Sequence, residues 1–168
     1  WLPETAVDLE TLDIMAELRL RFTILAPHQA ARVRRKGDQE WTDVSHGSID
    51  TSMAYELELP SGRTIYLFFY DDPISRAVAF EGLLSRGEHF ANRLVSAFSE
   101  ERPLPQLAHI ATDGETYGHH HRFGEMALAY ALHYLESTGL ARITNYGEFL
   151  QKNPPVNEVQ IIENTSWS

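Results

Sequence analysis

The richest chemical capacity in the chain lies in Ala111-Thr112-Asp113-Gly114-Glu115-Thr116-Tyr117-Gly118-His119-His120-His121. Two carboxylates, a tyrosine and three consecutive histidines stand between a short apolar stretch and a helical pattern. Two other places share this arrangement. Glu4 ends Trp1-Leu2-Pro3-Glu4, and Asp71 and Asp72 follow the apolar run Thr64-Ile65-Tyr66-Leu67-Phe68-Phe69-Tyr70. In α/β folds the loops at the carboxyl ends of strands carry the chemistry. Two carboxyl groups in one cleft, one ionised and one protonated, are what cleavage of a glycosidic bond requires. Trp1, Tyr70 and Tyr117 adjoin these acids and offer faces for a sugar ring. The plainer use of an acid there is to cap the following helix and complement its dipole.

The histidine run has three readings. As metal ligands, His119 and His121 can converge but not all three, and Asp113 would have to join them, as in a metal-dependent deacetylase. Alternatively, one or two imidazoles bond substrate hydroxyls. The blandest reading is a solvated loop. No other histidine-rich motif appears, so metal ranks last. His28, beside Gln29 after a strand, is a separate candidate for ligand contact.

These residues must be positioned by a framework, and the pattern of the chain predicts one. Asp8 is a candidate N-cap for a helix to about Leu18, with Leu9, Leu12, Met15 and Ala16 at helical spacing. Phe22-Thr23-Ile24-Leu25 reads as a strand, Pro27-His28-Gln29 as a loop, and Ala30 to Arg35 as a short helix. Residues 36–52 are a polar excursion. Tyr55 to Leu59, the turn Pro60-Ser61-Gly62-Arg63 and Thr64 to Tyr70 form a hairpin. Helices are expected from Ile74 to Leu84, around Phe90, Leu94 and Phe98, from Phe123 to Glu136 with Gly139 closing it, and from Tyr146 to Leu150. Strands are expected at Leu107 to Ala111, Arg142 to Thr144 and Glu158 to Ile162. Alternating strands and helices predict an α/β fold with mainly parallel strands and one β-hairpin excursion.

A chain of 168 residues suits one domain, 1–168. A net charge of −10 argues against nucleic acid and anionic membrane as partners, and suits a neutral ligand such as a sugar. The absence of cysteine excludes disulfides and thiolate metal sites. It tilts the reading toward a cytoplasmic compartment, which nothing else in the sequence fixes. No apolar run is long enough to span a bilayer. The chain opens without methionine in an apolar stretch and stops soon after a strand-like segment, so a piece of a longer chain is expected. No glycine-rich phosphate loop follows any strand.

At two acid-bearing segments the chain resembles glycoside hydrolase family 57. Trp1-Leu2-Pro3-Glu4 is similar to the family's nucleophile segment. Asp113-Gly114-Glu115-Thr116-Tyr117-Gly118-His119 is similar to its acid/base segment, in which an aspartate precedes Glu-x-aromatic-Gly. Pro27-His28-Gln29 falls where the family places a His-containing loop, and Phe69-Tyr70-Asp71-Asp72-Pro73-Ile74-Ser75 resembles the loop after the next core strand. More narrowly, the chain resembles an uncharacterised bacterial branch. The resemblance implies part of a (β/α)7 TIM-like barrel truncated at both ends, with the family's first His-Gln motif upstream. It implies a retaining hydrolase or transglycosylase on α-glucans, with Glu4 and Asp113 catalytic and no cofactor or metal. Substrate contacts would come from Trp1, His28, Asp72, Glu115, Tyr117 and His119. His120 and His121 replace the bulky aromatics common after the Gly-His. Glu4 and Asp113 should lie about 5–5.5 Å apart, with Asp113 the more desolvated. The alternatives are a polysaccharide deacetylase of the related barrel superfamily and a degenerate carbohydrate-binding protein.

Overall fold

A computed structural model describes residues Trp1–Ser168. The chain divides into two compact units, the first made of Trp1–Tyr70 and Leu150–Ser168, the second of Asp71–Phe149.

The first unit is built on a six-stranded sheet. Its strands are β1 (Phe22–Leu25), β2 (Ala30–Arg35), β3 (Thr42–Asp43), β4 (Ala54–Glu58), β5 (Thr64–Phe69) and β6 (Asn157–Ile161), in the order β1-β5-β4-β6-β2-β3. Mainly parallel pairing was expected, and here the structure corrects the sequence reading. β1 with β5 and β4 with β6 are parallel, whereas β4 with β5, β2 with β6 and β2 with β3 are antiparallel. The expected hairpin supplies one antiparallel pair, closed by Gly62 N–H to Leu59 C=O at 2.9 Å with Gly62 at φ 81°. β2 supplies the others, and it is the segment expected to be helical. Alanine and arginine favour helix, but across the ladder Arg32 faces Gln160 and Arg34 faces Glu158. Arg32 Nε donates to Gln160 Oε1 at 2.8 Å and Arg34 Nε to Glu158 Oε2 at 2.6 Å. Both guanidinia also lie over the Trp41 ring, at 5.1 and 4.4 Å. Cross-strand partners outweigh intrinsic preference.

Helix α1 (Leu9–Glu17) opens as expected, with Asp8 Oδ1 accepting from Thr11 N at 2.7 Å. Leu12 and Met15 join Leu25, Leu57, Leu67, Phe69 and Val159 in the core. β5 is buried at Ile65, Leu67, Phe68 and Phe69, which explains its continuous apolar run.

The second unit contains α2 (Asp72–Phe80), α3 (Gly87–Val95) and α4 (Gly124–Ser137) around Val78, Leu84, Phe90, Ala91, Ala127, Ala131 and Leu135. Gly87 lets α3 approach α4: a Cβ there would meet Tyr130 Cδ1 at 2.6 Å. Gly139 ends α4 in the left-handed conformation, φ 70°. Neither Leu107–Ala111 nor Arg142–Thr144 is a strand. The first joins no ladder. Its groups pair with the start of α2 instead, Asp71 N–H to His109 C=O at 2.9 Å and Ala111 N–H to Ser75 Oγ at 3.0 Å. Between Ser99 and Gln106 a side chain imitates a strand partner: Gln106 accepts from Ser99 N at 2.9 Å and donates to Ser99 O at 2.7 Å. The chain returns to the first unit within α5 (Tyr146–Lys152).

Candidate active site

Glu4 is not at a strand end. Pro3–Thr5 is one turn of 3-10 helix, in which Glu4 has φ 54° and ψ 17° and Thr5 has φ 49°. Two consecutive residues in the left-handed region, one of them β-branched, cost roughly 1–3 kcal/mol each. The turn is closed by Thr5 N–H to Leu2 C=O at 3.0 Å and Ala6 N–H to Pro3 C=O at 2.9 Å. It is held further by Gln29, which is fully buried. Gln29 Nε2 donates to Thr5 O at 2.9 Å and Thr165 Oγ1 at 3.2 Å. Its Oε1 accepts from Thr5 Oγ1 at 2.9 Å and Ala26 N at 2.8 Å. All four capacities of the amide are used. At about 0.5–1.5 kcal/mol per bond, they are of the same order as the backbone strain.

The Glu4 carboxylate is exposed but oriented. Trp167 Nε1 donates to Glu4 Oε2 at 2.8 Å, and Trp167 N donates to Glu4 O at 3.0 Å. Trp1 meets Trp167 edge to face with ring centroids 5.3 Å apart, and Tyr70 lies on Trp167 at 6.4 Å. His28 Nε2 donates to Ser166 O at 2.8 Å. Val7 and Thr165 form an antiparallel bridge that ties this last segment to the first. The first unit thus gathers Trp1, Glu4, His28, Tyr70 and Trp167.

In the second unit Asp113 precedes a single 3-10 turn, Gly114–Thr116, and accepts no capping hydrogen bond. Both Asp113 and Glu115 are exposed, so the expected desolvation of Asp113 is not a feature of this chain. The loop is shaped by its backbone. Glu115 C=O accepts from His119 N–H at 3.2 Å and His120 N–H at 2.9 Å, and Gly118 N–H donates to His121 C=O at 3.0 Å. Gly118 has φ 107°, open to glycine and strained for others. The Tyr117 hydroxyl accepts from Thr112 Oγ1 at 3.3 Å. His121 Nε2 donates to Ala79 O at 2.8 Å, a structural tie. His119 and His120 stand edge to face at 5.0 Å and are exposed. Asp71 caps α2, its Oδ1 accepting from Ile74 N at 2.8 Å, while Asp72 is exposed in the first turn. No three side chains of His, Asp or Glu are drawn together as a metal would require. Asp113 and the histidines do not converge.

Two residues of this arrangement escaped the sequence reading. In that reading Gln29 stands out only as the neighbour of His28, and Trp167 not at all. The one available signal was a tryptophan standing alone among small polar residues.

The model for glycosyl hydrolase family 57 matches residues 1–162. No curated protein matches by sequence. An exo-type maltose-forming amylase from Pyrococcus sp. ST04 superposes with a TM-score of 0.71 at 19% identity, over 100% of this chain and 28% of its own. A 4-alpha-glucanotransferase from Thermococcus litoralis gives 0.67 at 17% identity, over 99% of this chain and 24% of its own. At these identities the likeness is one of fold. The chain spans about a quarter of the length of either structure.

Proposed function

The chain belongs to glycosyl hydrolase family 57, and on that premise we propose that the protein cleaves or transfers α-glucans by a retaining, two-carboxylate mechanism on part of a (β/α)7 barrel. Glu4 is the nucleophile. Its carboxylate attacks the anomeric carbon while the bond to the leaving sugar oxygen breaks, and Asp113 gives that oxygen its proton. The product is a glycosyl ester on Glu4. Asp113, now a carboxylate, takes a proton from water or from a sugar hydroxyl, whose oxygen attacks the anomeric carbon and frees Glu4. Water gives hydrolysis and a sugar gives transfer. The named activities of the two similar structures, amylase and glucanotransferase, correspond to these two outcomes.

The observation that carries this reading is the fixing of Glu4. An attacking carboxylate must be held in line before substrate arrives, and Trp167 grips one of its oxygens while leaving the other free of that bond. Trp1, itself 57% exposed, meets the same Trp167 ring, and His28 bonds the carbonyl of Ser166 beside it. Asp72, Glu115, Tyr117 and His119 are assigned to sugar hydroxyls and ring faces on the acid/base side. Asp113 is exposed in this chain, and a bound glucan would displace water from it.

The test is Glu4→Gln and Asp113→Asn in the full-length protein, assayed on maltooligosaccharides. Each change should lower kcat by about 10²-fold or more. Activity retained in either variant would remove that residue from the mechanism.

A further inference from the structure

Gln29 lies in the turn that follows β1, directly after a strand whose last residues are buried. It is fully buried, yet its amide reaches both segments that define Glu4. Toward one side it bonds the carbonyl and the hydroxyl of Thr5, the residue joined to Glu4 by a peptide bond. Toward the other it bonds Thr165 Oγ1, two residues before Trp167, whose indole holds Glu4 Oε2. We propose that Gln29 is the positioning residue of the nucleophile, fixing with one amide both the strained backbone that carries Glu4 and the segment that carries its hydrogen-bond donor. The proposal rests on the assignment of Glu4 as nucleophile.

The physical need is plain. Glu4 and Thr5 both sit at positive φ, and free of Gln29 they would relax toward the right-handed or extended regions. Either change rotates the Glu4 side chain about its own backbone and breaks its geometry with Trp167. A misplacement of about 1 Å is enough to cost an enzyme on the order of 10²-fold in rate. Supporting groups of this kind act best from rigid elements, and Gln29 sits in a 3-10 turn, Pro27–Gln29, in which Pro27 is also buried.

The experiment measures formation of the glycosyl-enzyme in the full-length protein, using a fluorinated glycosyl fluoride that forms the ester and hydrolyses slowly. Peptide mass spectrometry locates the label, and the dependence of rate on probe concentration separates binding from the covalent step. Gln29→Met keeps volume and removes all four bonds. In folded protein it should label Glu4 about 10–100-fold more slowly, with the half-saturating concentration unchanged. Labelling of Glu4 at the wild-type rate overturns the proposal alone. A label on another residue overturns both the Glu4 assignment and the proposal. Should Gln29→Met fail to fold, Thr165→Val decides, since it removes a single bond from the amide. It should slow labelling several-fold, and Thr165→Ser should restore the rate. A wild-type rate in Thr165→Val overturns the proposal.

Discussion

The two proposed carboxyl groups are held in opposite ways. Glu4 rides on a strained turn, bonded through Thr5 to a buried amide and through its own oxygen to an indole. Asp113 stands exposed before a turn whose order comes from backbone bonds, and its side chain caps nothing. The contrast matches what each would have to do. A nucleophile reacts with one carbon along one line, so restraint before binding lowers its barrier. An acid/base passes a proton out and takes one back, so it needs reach to the leaving oxygen, which can tighten when substrate binds. The cost of restraint is borne by the unit with a sheet to anchor it.

The contrast can be broken most sharply by the choice of leaving group. On a glucan, Glu4→Gln and Asp113→Asn should both be strongly impaired. On an activated glycoside, such as a glycosyl fluoride or nitrophenyl glycoside, the leaving group departs without a proton. Asp113→Asn should then form the glycosyl-enzyme near the wild-type rate and show a burst. Glu4→Gln should stay at least about 10³-fold down on both substrates. Stopped-flow measurement of the burst separates the two. Equal recovery of both variants would mean that the restrained acid is not the nucleophile.

The difference between the units should also appear as a difference in pH stability. In the first unit three aspartates are held below the usual 3.8: Asp8 by the Thr11 backbone N–H, Asp13 by the Ser61 hydroxyl and then Arg63, Asp43 by the Ser45 backbone N–H. Folding favours their ionised forms, so this contribution is present above the unfolded value and is lost as pH falls through the folded values. In the second unit burial pushes the Tyr146 phenol up from 10.0 to about 12. It lies against His109, Nδ1 to hydroxyl 3.0 Å, in an apolar pocket of about 260 Å³. Folding favours the neutral phenol, so its contribution is complete below pH 10 and lost as pH rises toward 12. A difference of that size is on the order of 3 kcal/mol. All three tryptophans belong to the first unit, so their fluorescence reports on it alone. In the 168-residue chain, acid should change tryptophan fluorescence before helical circular dichroism, and alkali should do the reverse. Tyr146→Phe should abolish the alkaline order. Tryptophan emission changing first at both extremes would erase the distinction.

How much of this was legible follows from how local each feature is. Asp8 and Asp71 cap their helices through atoms three residues away, and the sequence displays such relations directly. The hairpin turn at Pro60–Arg63 is equally local. β2 was misread because Ala30–Arg35 carries helix-favouring residues, and its partners Glu158 and Gln160 lie more than a hundred positions downstream. Leu107–Ala111 was misread for the converse reason. Its composition suits a strand, but its bonds go to a helix start. The two proposed acids stand in motifs that the sequence displays. Their surroundings do not, since Thr5, Gln29 and Thr165 are brought together across 24 and 136 positions. Nothing in the pattern of the chain marks a glutamine that will be buried with every bond satisfied.

The smallest effect distinguishes a purposeful buried polar group from an incidental one. Thr23 on β1 is as fully buried as Gln29, but its hydroxyl has no partner. Gln29 has four. A buried hydroxyl without a bond costs about 1–3 kcal/mol relative to a satisfied one. Valine keeps the branched shape that suits a strand beside Leu67 of β5. Thr23→Val should therefore stabilise the chain by on the order of 1 kcal/mol, raising Tm by roughly 2–4 °C. Gln29→Met should lower Tm, because it leaves the carbonyl of Thr5 and the N–H of Ala26 buried without their partners. Differential scanning calorimetry of the two single variants reads both signs. Destabilisation by Thr23→Val would show that its hydroxyl does work the geometry does not reveal. An unchanged Tm in Gln29→Met would show that the bonds around Glu4 carry no net stability, and the strain they oppose would then have to be relieved in solution.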